Sequence, residues 1–333
     1  MEDRKKIQGA SILFLVIVMI NISANFIPWG PMPIYLNILI PQAMIIIPVL
    51  IYLLVTKQNI IQTIRLRKIN IWSLLLIIPV VYLLEPLLVC INAFSMAFSN
   101  NMIAGTMEDI STSMPYIAGI SLLALLPAIV EETTFRGVLL NSFHQDSHPW
   151  TAILFSALCF GCMHMSFNQI AYALVLGIIM GIVLEASGSI LATMLLHFLY
   201  NATSTTLLYL LPVIMKWSNQ TLENSGMSEQ ELEQIMSVSQ TTAETTPGQM
   251  LSIAAIMILP ALGGAALAGM LIYLIAYLNK RQFILKGMFA RKTPEQKLAM
   301  KADKVRVMNV WLGIGIGLCI GMAILTEVLT RIG

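Results

Sequence analysis

Long runs of apolar residues constrain this chain more than any other feature of its sequence. A helix of about 20 apolar residues crosses the ~30 Å hydrocarbon core of a bilayer, and helices satisfy their own backbone hydrogen bonds there. The sequence therefore predicts an all-α, polytopic transmembrane helical bundle of eight or nine spans, of which the fifth and sixth are the least secure as full crossings. The nine runs lie at residues 7–28, 34–55, 71–94, 115–142, 150–165, 169–187, 189–215, 249–279 and 306–330.

The composition supports a membrane protein and argues against a nucleic-acid-binding one. Hydrophobic residues make up 57% of the chain and charged residues only 11%, whereas about 25% of residues are charged in a soluble domain. The net charge of +2 provides no basic field that would attract nucleic acid. We therefore expect the lipid bilayer to be the main surrounding of this chain.

The distribution of positive charge predicts the orientation of the bundle. Sixteen of the 19 Lys and Arg residues lie in three segments, at residues 4–6, 57–68 and 280–306. Because Lys and Arg accumulate in cytoplasmic connections, and because nine crossings place all three segments on one side, we expect a cytoplasmic N-terminus. The long polar connection and the short internal ones favour a multi-pass protein of the bacterial plasma membrane.

The same features divide the chain into four parts. We expect N-terminal transmembrane helices, a central helical core, a polar extracytoplasmic loop that includes a short helix near residues 227–238, and C-terminal transmembrane helices with a basic cytoplasmic connection. These parts cover residues 1–114, 115–211, 212–248 and 249–333.

The fourth apolar run contains three ionisable residues in the segment PAIVEETTFRGVLL, namely Glu131, Glu132 and Arg136. An ionisable side chain within a span is costly, so each one indicates a functional site. Glu132 and Arg136 are four residues apart and can pair on one helix face. Glu131 lies on a neighbouring face without such a partner, which suits a general base.

Two further runs carry polar residues one helical turn apart. The fifth run ends in FGCMH, with Phe160 and His164, and the seventh contains HFLYN, with His197 and Asn201. At ~1.5 Å per residue, Glu131, His164, His197 and Asn201 lie roughly 12 to 21 Å from the predicted cytoplasmic ends of their helices. We therefore expect the four to converge near the middle of the membrane.

The three motifs EETTFR, FGCMH and HFLYN resemble, in this order, the EExxxR, FxxxH and HxxxN motifs of the CAAX-protease and bacteriocin-processing family. This family of intramembrane proteases includes the type II prenyl-protein protease, and the resemblance covers about residues 115–205. It implies that Glu131 is the base that activates a water together with His164, and that His197 and Asn201 stabilise the oxyanion. It also implies that Arg136 holds Glu132 and that Phe160 packs beside His164.

The resemblance implies a membrane-associated peptide or protein as the substrate and, on the preferred interpretation, no cofactor. Glu131, His164 and His197 are also chemically suited to bind a catalytic zinc ion, so a metalloprotease is an alternative. Two other functions stay open, a non-catalytic membrane scaffold or bacteriocin-immunity protein and a proton-coupled transporter that uses the same acids. Among the remaining acids of the spans, we expect Glu185 to be the one nearest the site.

Overall fold

The computed structural model describes residues 2–99, 113–144, 149–223, 246–303 and 305–332. These residues form helices and connections and contain no strand, which confirms the all-α fold class. The predicted short helix near residues 227–238 lies outside the described residues. Eight helices are long and apolar enough to cross a membrane. They are α1 (Glu2–Ala24), α2 (Ile34–Val55), α4 (Ile71–Met96), α5 (Tyr116–Phe143), α7 (Phe167–Ser187), α8 (Ile190–Glu223), α9 (Pro247–Leu278) and α12 (Val310–Ile332).

Four shorter helices complete the described residues. Their bounds are α3 (Ile60–Thr63), α6 (Pro149–Met163), α10 (Gln282–Phe289) and α11 (Pro294–Asp303). Helix α6 corresponds to the fifth predicted span, but its 15 residues extend only ~22 Å at 1.5 Å per residue. The eight candidate spans agree with the lower of the two predicted numbers, and the fifth predicted span is the one that is too short. Helix α8 also continues beyond residue 212, the predicted start of the polar loop, as far as Glu223.

Local sequence signals explain several helix ends. Helix α9 begins with a capping box, in which the Thr246 hydroxyl accepts the backbone N–H of Gln249 and the Gln249 side chain accepts the N–H of Thr246. Helix α7 ends at Ser187. The next residue, Gly188, has a φ of 74°, which lies in the left-handed region that glycine enters without a steric penalty. These signals fix where each helix stops, and therefore which residues face the next helix.

The three basic segments meet at one end of the bundle. The Arg65 guanidinium lies 2.6 Å from Glu185, close to the end of α7, and the Arg281 guanidinium lies 3.2 Å from the same carboxylate. The Ser189 hydroxyl donates to the backbone carbonyl of Arg67. Helices α1 and α2 run antiparallel, since Gly9 packs against Tyr52, so that the N-terminus lies at this end too. We call it the basic end.

Helix α5 carries the acidic residues through the centre of the bundle, and it is not a regular α-helix. Two stretches, Ile120–Leu125 and Glu132–Leu139, have the wider π-helical turn. Every residue of the second stretch is buried. π-helical turns are rare and are found frequently at functional sites. The backbone conformation and the EETTFR motif therefore both indicate a functional site in this segment.

Candidate active site

Glu132 and Arg136 form an ion pair in the fully buried part of α5. Arg136 Nη1 donates to Glu132 Oε1 over 2.9 Å, and neither side chain is exposed. The Arg136 guanidinium also lies over the ring of Phe160 from α6, with Cζ 4.2 Å from the ring centre. A buried cation without a counter-charge would be strongly destabilising. The Glu132–Arg136 pair that we predicted from the four-residue spacing is present. The contact between Arg136 and Phe160 connects α5 to α6.

His197 from α8 lies between the two glutamates. Its Nδ1 is 3.0 Å from Glu132 Oε1, and its Nε2 is 3.8 Å from Glu131 Oε2. Because Glu132 also accepts a hydrogen bond from Arg136, we assign it as a carboxylate, which requires the hydrogen of His197 to be on Nδ1. In neutral His197 the Nε2 atom therefore has a lone pair, and it is too far from Glu131 for a direct hydrogen bond.

Glu131 is the more accessible of the two acids and has a partner that we did not predict. Its side chain is 14% exposed, compared with 0% for Glu132. Gln42 Nε2 from α2 donates to Glu131 Oε1 over 3.1 Å. Gln42 is a neutral amide donor on another helix, so it differs from the arginine that pairs with Glu132 on α5. An amide in an otherwise apolar span was the available signal, because such side chains commonly hydrogen-bond across helices.

His164 follows the last residue of α6 and shares a wall with His197. Its Nδ1 lies 2.9 Å from the backbone carbonyl of Phe160. Since a carbonyl only accepts, Nδ1 is the donor and the neutral ring has its lone pair on Nε2. The Phe160 ring meets His164 and His197 edge-on, with centroid distances of 5.2 and 5.8 Å. Phe160 therefore does more than pack beside His164, because it contacts both histidines and Arg136.

Asn201 lies one turn beyond His197 on the half-buried face of α8. Within the described part of the chain its side chain has no hydrogen-bond partner, so both its N–H groups remain available to another molecule. Contacts therefore connect residues of all three motifs from α5, α6 and α8, with Gln42 added from α2, whereas Asn201 is placed only by its position one turn beyond His197. His164 has no direct hydrogen bond to Glu131 among the described residues, whereas Gln42 has.

Glu185 lies away from this group, contrary to our expectation that it is the nearest of the other acids. It is at the basic end, where it binds Arg65 and Arg281. His144 Nε2 lies 3.7 Å from the same carboxylate. Glu185 therefore joins connections of the chain and is not part of the active-site group. Glu327 likewise pairs with Arg331 on α12.

The donor atoms do not assemble the zinc site that we considered. Among the described residues, no group of three or more His, Cys, Asp or Glu side chains is placed to hold one metal ion. Glu131 and His197 face each other, and the Nδ1 atoms of His164 and His197 are bonded to Phe160 and Glu132, so that only their Nε2 atoms have a free lone pair.

The fold and these contacts define a multi-pass α-helical membrane protein with a buried polar site made of carboxylates, histidines and an arginine. Residues 113–203 match the family model described as "Type II CAAX prenyl endopeptidase Rce1-like". The match covers about a quarter of the chain, and it confirms that this segment resembles the CAAX-protease family, as the three motifs predicted. Comparisons with curated proteins and with solved structures found no match.

Proposed function

We propose that this protein is an intramembrane endopeptidase that hydrolyses a peptide bond of a membrane-associated substrate. The observation that carries the proposal is the pair formed by Glu131 Oε2 and His197 Nε2, 3.8 Å apart. Behind it the Glu132–Arg136 ion pair is fully buried and holds His197 Nδ1. A general base thus faces an imidazole whose orientation is fixed by a carboxylate, which is an arrangement suited to acyl transfer.

In the proposed reaction Glu131 takes a proton from a water molecule whose oxygen adds to the carbonyl carbon of the substrate. His164 Nε2 accepts a hydrogen bond from the second O–H of that water and so orients it, because the Nδ1–H of His164 is held by the carbonyl of Phe160. The proton on Glu131 then moves to the departing nitrogen as the C–N bond breaks. The products are an amine and a carboxylic acid, which passes its remaining proton to the amine or to solvent, so that one water is consumed for each bond cut.

The proposed role of His197 depends on its protonation. Because Nδ1 donates to Glu132, only the imidazolium form has a second N–H, at Nε2, that can donate to the developing oxyanion. Glu132 would balance the charge of this imidazolium, as the carboxylate of a catalytic triad does. Asn201 would supply the second donor through its side-chain amide. His197 would therefore stabilise the oxyanion as a cation and not as a neutral imidazole.

Two substrate classes follow from the membrane location of the site. The family description points to a prenylated peptide that ends in a CAAX box. The alternative is an apolar membrane protein or a leader peptide of the bacteriocin type. Either substrate would approach through or along the bilayer, since α5 and α8, which carry the site, are long and apolar enough to cross the membrane.

The test is a cleavage assay with the purified protein in lipid nanodiscs and two probes. One probe is a farnesylated peptide with a C-terminal CAAX box, and the other is a transmembrane peptide with an extended Ala-Ser-Gly stretch at its outer end. We expect one of them to be cut, with the new carboxylate carrying ¹⁸O in H₂¹⁸O. We expect His164→Ala and His197→Ala to reduce the rate by at least ~100-fold.

Two results would decide against this proposal. Cleavage that persists in both histidine variants would show that the reaction takes place elsewhere. Failure of the wild type to cut either probe, combined with proton uptake into liposomes that depends on Glu131, would favour the transporter alternative. We also propose that hydrolysis needs no metal ion, so chelation by EDTA followed by metal analysis should leave the rate unchanged.

A further inference from the structure

A cavity of about 470 Å³ lies next to the candidate active site and includes His164 in its wall. Most of its wall comes from α1, α2 and α12, outside the segment that matches the family. Asn25, Trp29 and Asn37 form an exposed rim, whereas Asn21 and His164 are partly buried farther in. The rim follows the end of α1 that is opposite the basic end. The cavity therefore opens to the other end of the bundle, and its volume suits a ligand site.

The polar groups of this cavity are suited to bind a polypeptide backbone. The side-chain amide nitrogens of Asn21 and Asn25 donate to carbonyls of their own helix, over 2.9 and 3.0 Å. Their Oδ1 atoms have no hydrogen-bond partner among the described residues and so can accept N–H groups. Asn37 has both an acceptor and donors available. An extended peptide offers N–H and C=O groups that need such partners, because buried backbone groups are rarely left without one.

The apolar part of the wall is unusually rich in methionine. Because methionine is flexible and polarisable, it adapts to side chains of different shapes and is common on promiscuous binding surfaces. The asparagine amides of the cavity can bind the backbone of a peptide, and its methionine thioethers can adapt to the side chains of that peptide. This combination is typical of binding with little sequence preference. The methionines are Met32, Met44, Met163, Met165 and Met322.

The cavity is connected to the active-site group through two elements. His164 belongs to its wall, and the next residue, Met165, has a φ of 49°, a left-handed conformation that is strained for a residue other than glycine. Pro41 and Met44 of α2 also line the cavity, and Gln42 between them donates to Glu131. A chain held in the cavity would therefore extend toward Glu131 past His164 and Gln42.

We propose that this cavity binds an extended segment of a membrane protein and directs it to the active site from the end opposite the basic end. The inference rests on the proposed function, because it names where the substrate of that site is held. The proposal predicts that the cavity recognises the main chain of the substrate. Different substrates would therefore have an unfolded segment in common but no particular side chain.

Cysteine accessibility tests the proposal. Asn25→Cys should react with a membrane-impermeant maleimide from the side opposite that from which Lys68→Cys, at the basic end, reacts. In the Glu131→Gln background, the transmembrane peptide at saturation should slow the labelling of Asn25→Cys by roughly tenfold, as expected for ~90% occupancy. The unmodified chain measures the background from the native cysteines, of which Cys159, Cys162 and Cys319 are buried.

Gly248→Cys is the matched control, because it lies on the first turn of α9 at the same end as the rim. An added Cβ there would meet only the Thr246 hydroxyl, at 4.0 Å. It should be labelled from the same side as Asn25→Cys and should not be protected by the peptide. Equal protection of both cysteines, no protection of either, or labelling of Asn25→Cys only from the side of Lys68→Cys would overturn the inference.

A kinetic measurement separates this inference from the proposed function. Asn25→Leu should raise KM for the transmembrane peptide by about tenfold, because one to two hydrogen bonds to the peptide are lost. The value of kcat should be nearly unchanged. If Glu131→Gln abolishes cleavage but Asn25→Leu leaves KM unchanged, the active site is correct and the binding site is wrong. If Glu131→Gln leaves cleavage intact, the proposed function itself is wrong.

Discussion

At the scale of single residues, the site is held by hydrogen bonds that leave defined atoms available for chemistry. Glu132 accepts from Arg136 and His197, and Glu131 accepts from Gln42, which leaves Glu131 Oε2 facing His197 Nε2. The Glu132–Arg136 pair could be predicted from a four-residue spacing. Gln42 could not be paired with Glu131 in this way, because the two are 89 residues apart in the chain and only packing brings α2 against α5.

Gln42 provides the residue-scale prediction. Gln42→Leu removes the donor to Glu131 Oε1, which should lower kcat by about tenfold, the effect of one hydrogen bond of ~1.4 kcal/mol. KM should change little, because Gln42 would orient the base and not bind the substrate. Gln42→Glu keeps the shape but places a second carboxylate beside Glu131. It should therefore change the pH profile of kcat, whereas a purely structural role would lower protein yield and leave that profile unchanged.

At the scale of elements, close packing of α6 and α7 supports the site from behind. Gly177 and Gly181 are one turn apart on α7 and allow α6 to approach closely, as small residues commonly do in membrane helix pairs. A Cβ at Gly177 would lie 2.9 Å from Ala157 Cβ and 3.2 Å from Arg136 Nη2. Because Gly177 has no side chain, α7 leaves room for the buried guanidinium of Arg136.

We predict that Gly177→Ala reduces both stability and cleavage. The added methyl group must displace α6 or Arg136, which should cost about 1–3 kcal/mol, as overpacking of a core commonly does. Thermal unfolding in detergent and the cleavage rate measure the two effects. Gly263→Ala is the matched control, because a Cβ at that position of α9 meets nothing within 4 Å. A Gly177→Ala protein as stable and active as the control would show that the contact is not needed.

Hydropathy predicted the apolar elements well and their geometry less well. Eight spans appear where apolar runs occur, but α6 is too short for a full crossing. The π-helical stretch Glu132–Leu139 was not predicted, because one extra residue in a turn hardly changes an apolar pattern. Helix α8 extends to Glu223 although its last residues are polar, since helical backbone bonds continue where the hydrophobic signal ends.

At the scale of the whole molecule, Glu185 joins parts of the chain that are far apart in sequence. Its carboxylate binds Arg65 and Arg281, and its backbone carbonyl accepts from Arg281 Nε over 2.7 Å. His144 approaches the same carboxylate. The cluster therefore connects the α3–α4 region, the end of α5, the end of α7 and the start of α10. It was not predicted as a cluster, because its members come from three separate connections and from the last turn of α7.

We predict that Glu185→Gln destabilises the whole bundle. Glu185 is only 2% exposed, and removing its charge leaves two arginines without their counter-ion, which should cost about 3 kcal/mol. Unfolding in mixed micelles measures this loss. Glu327→Gln is the control, since its partner Arg331 is 59% exposed and a surface pair contributes less than about 1 kcal/mol. Equal losses in the two variants would contradict the role assigned to the cluster.

The central claim is that one intramembrane glutamate, Glu131, acts as the base that activates water, and the most direct test compares two identical substitutions. Glu131→Gln and Glu85→Gln both remove a carboxylate from a membrane-spanning helix, but Glu85, on α4, makes no hydrogen bond or ion pair with the active-site group among the described residues. We predict that Glu131→Gln lowers the cleavage rate in nanodiscs by at least ~100-fold, while Glu85→Gln keeps most of it. Equal rates for Glu131→Gln and the wild type, with both proteins folded, would contradict the account.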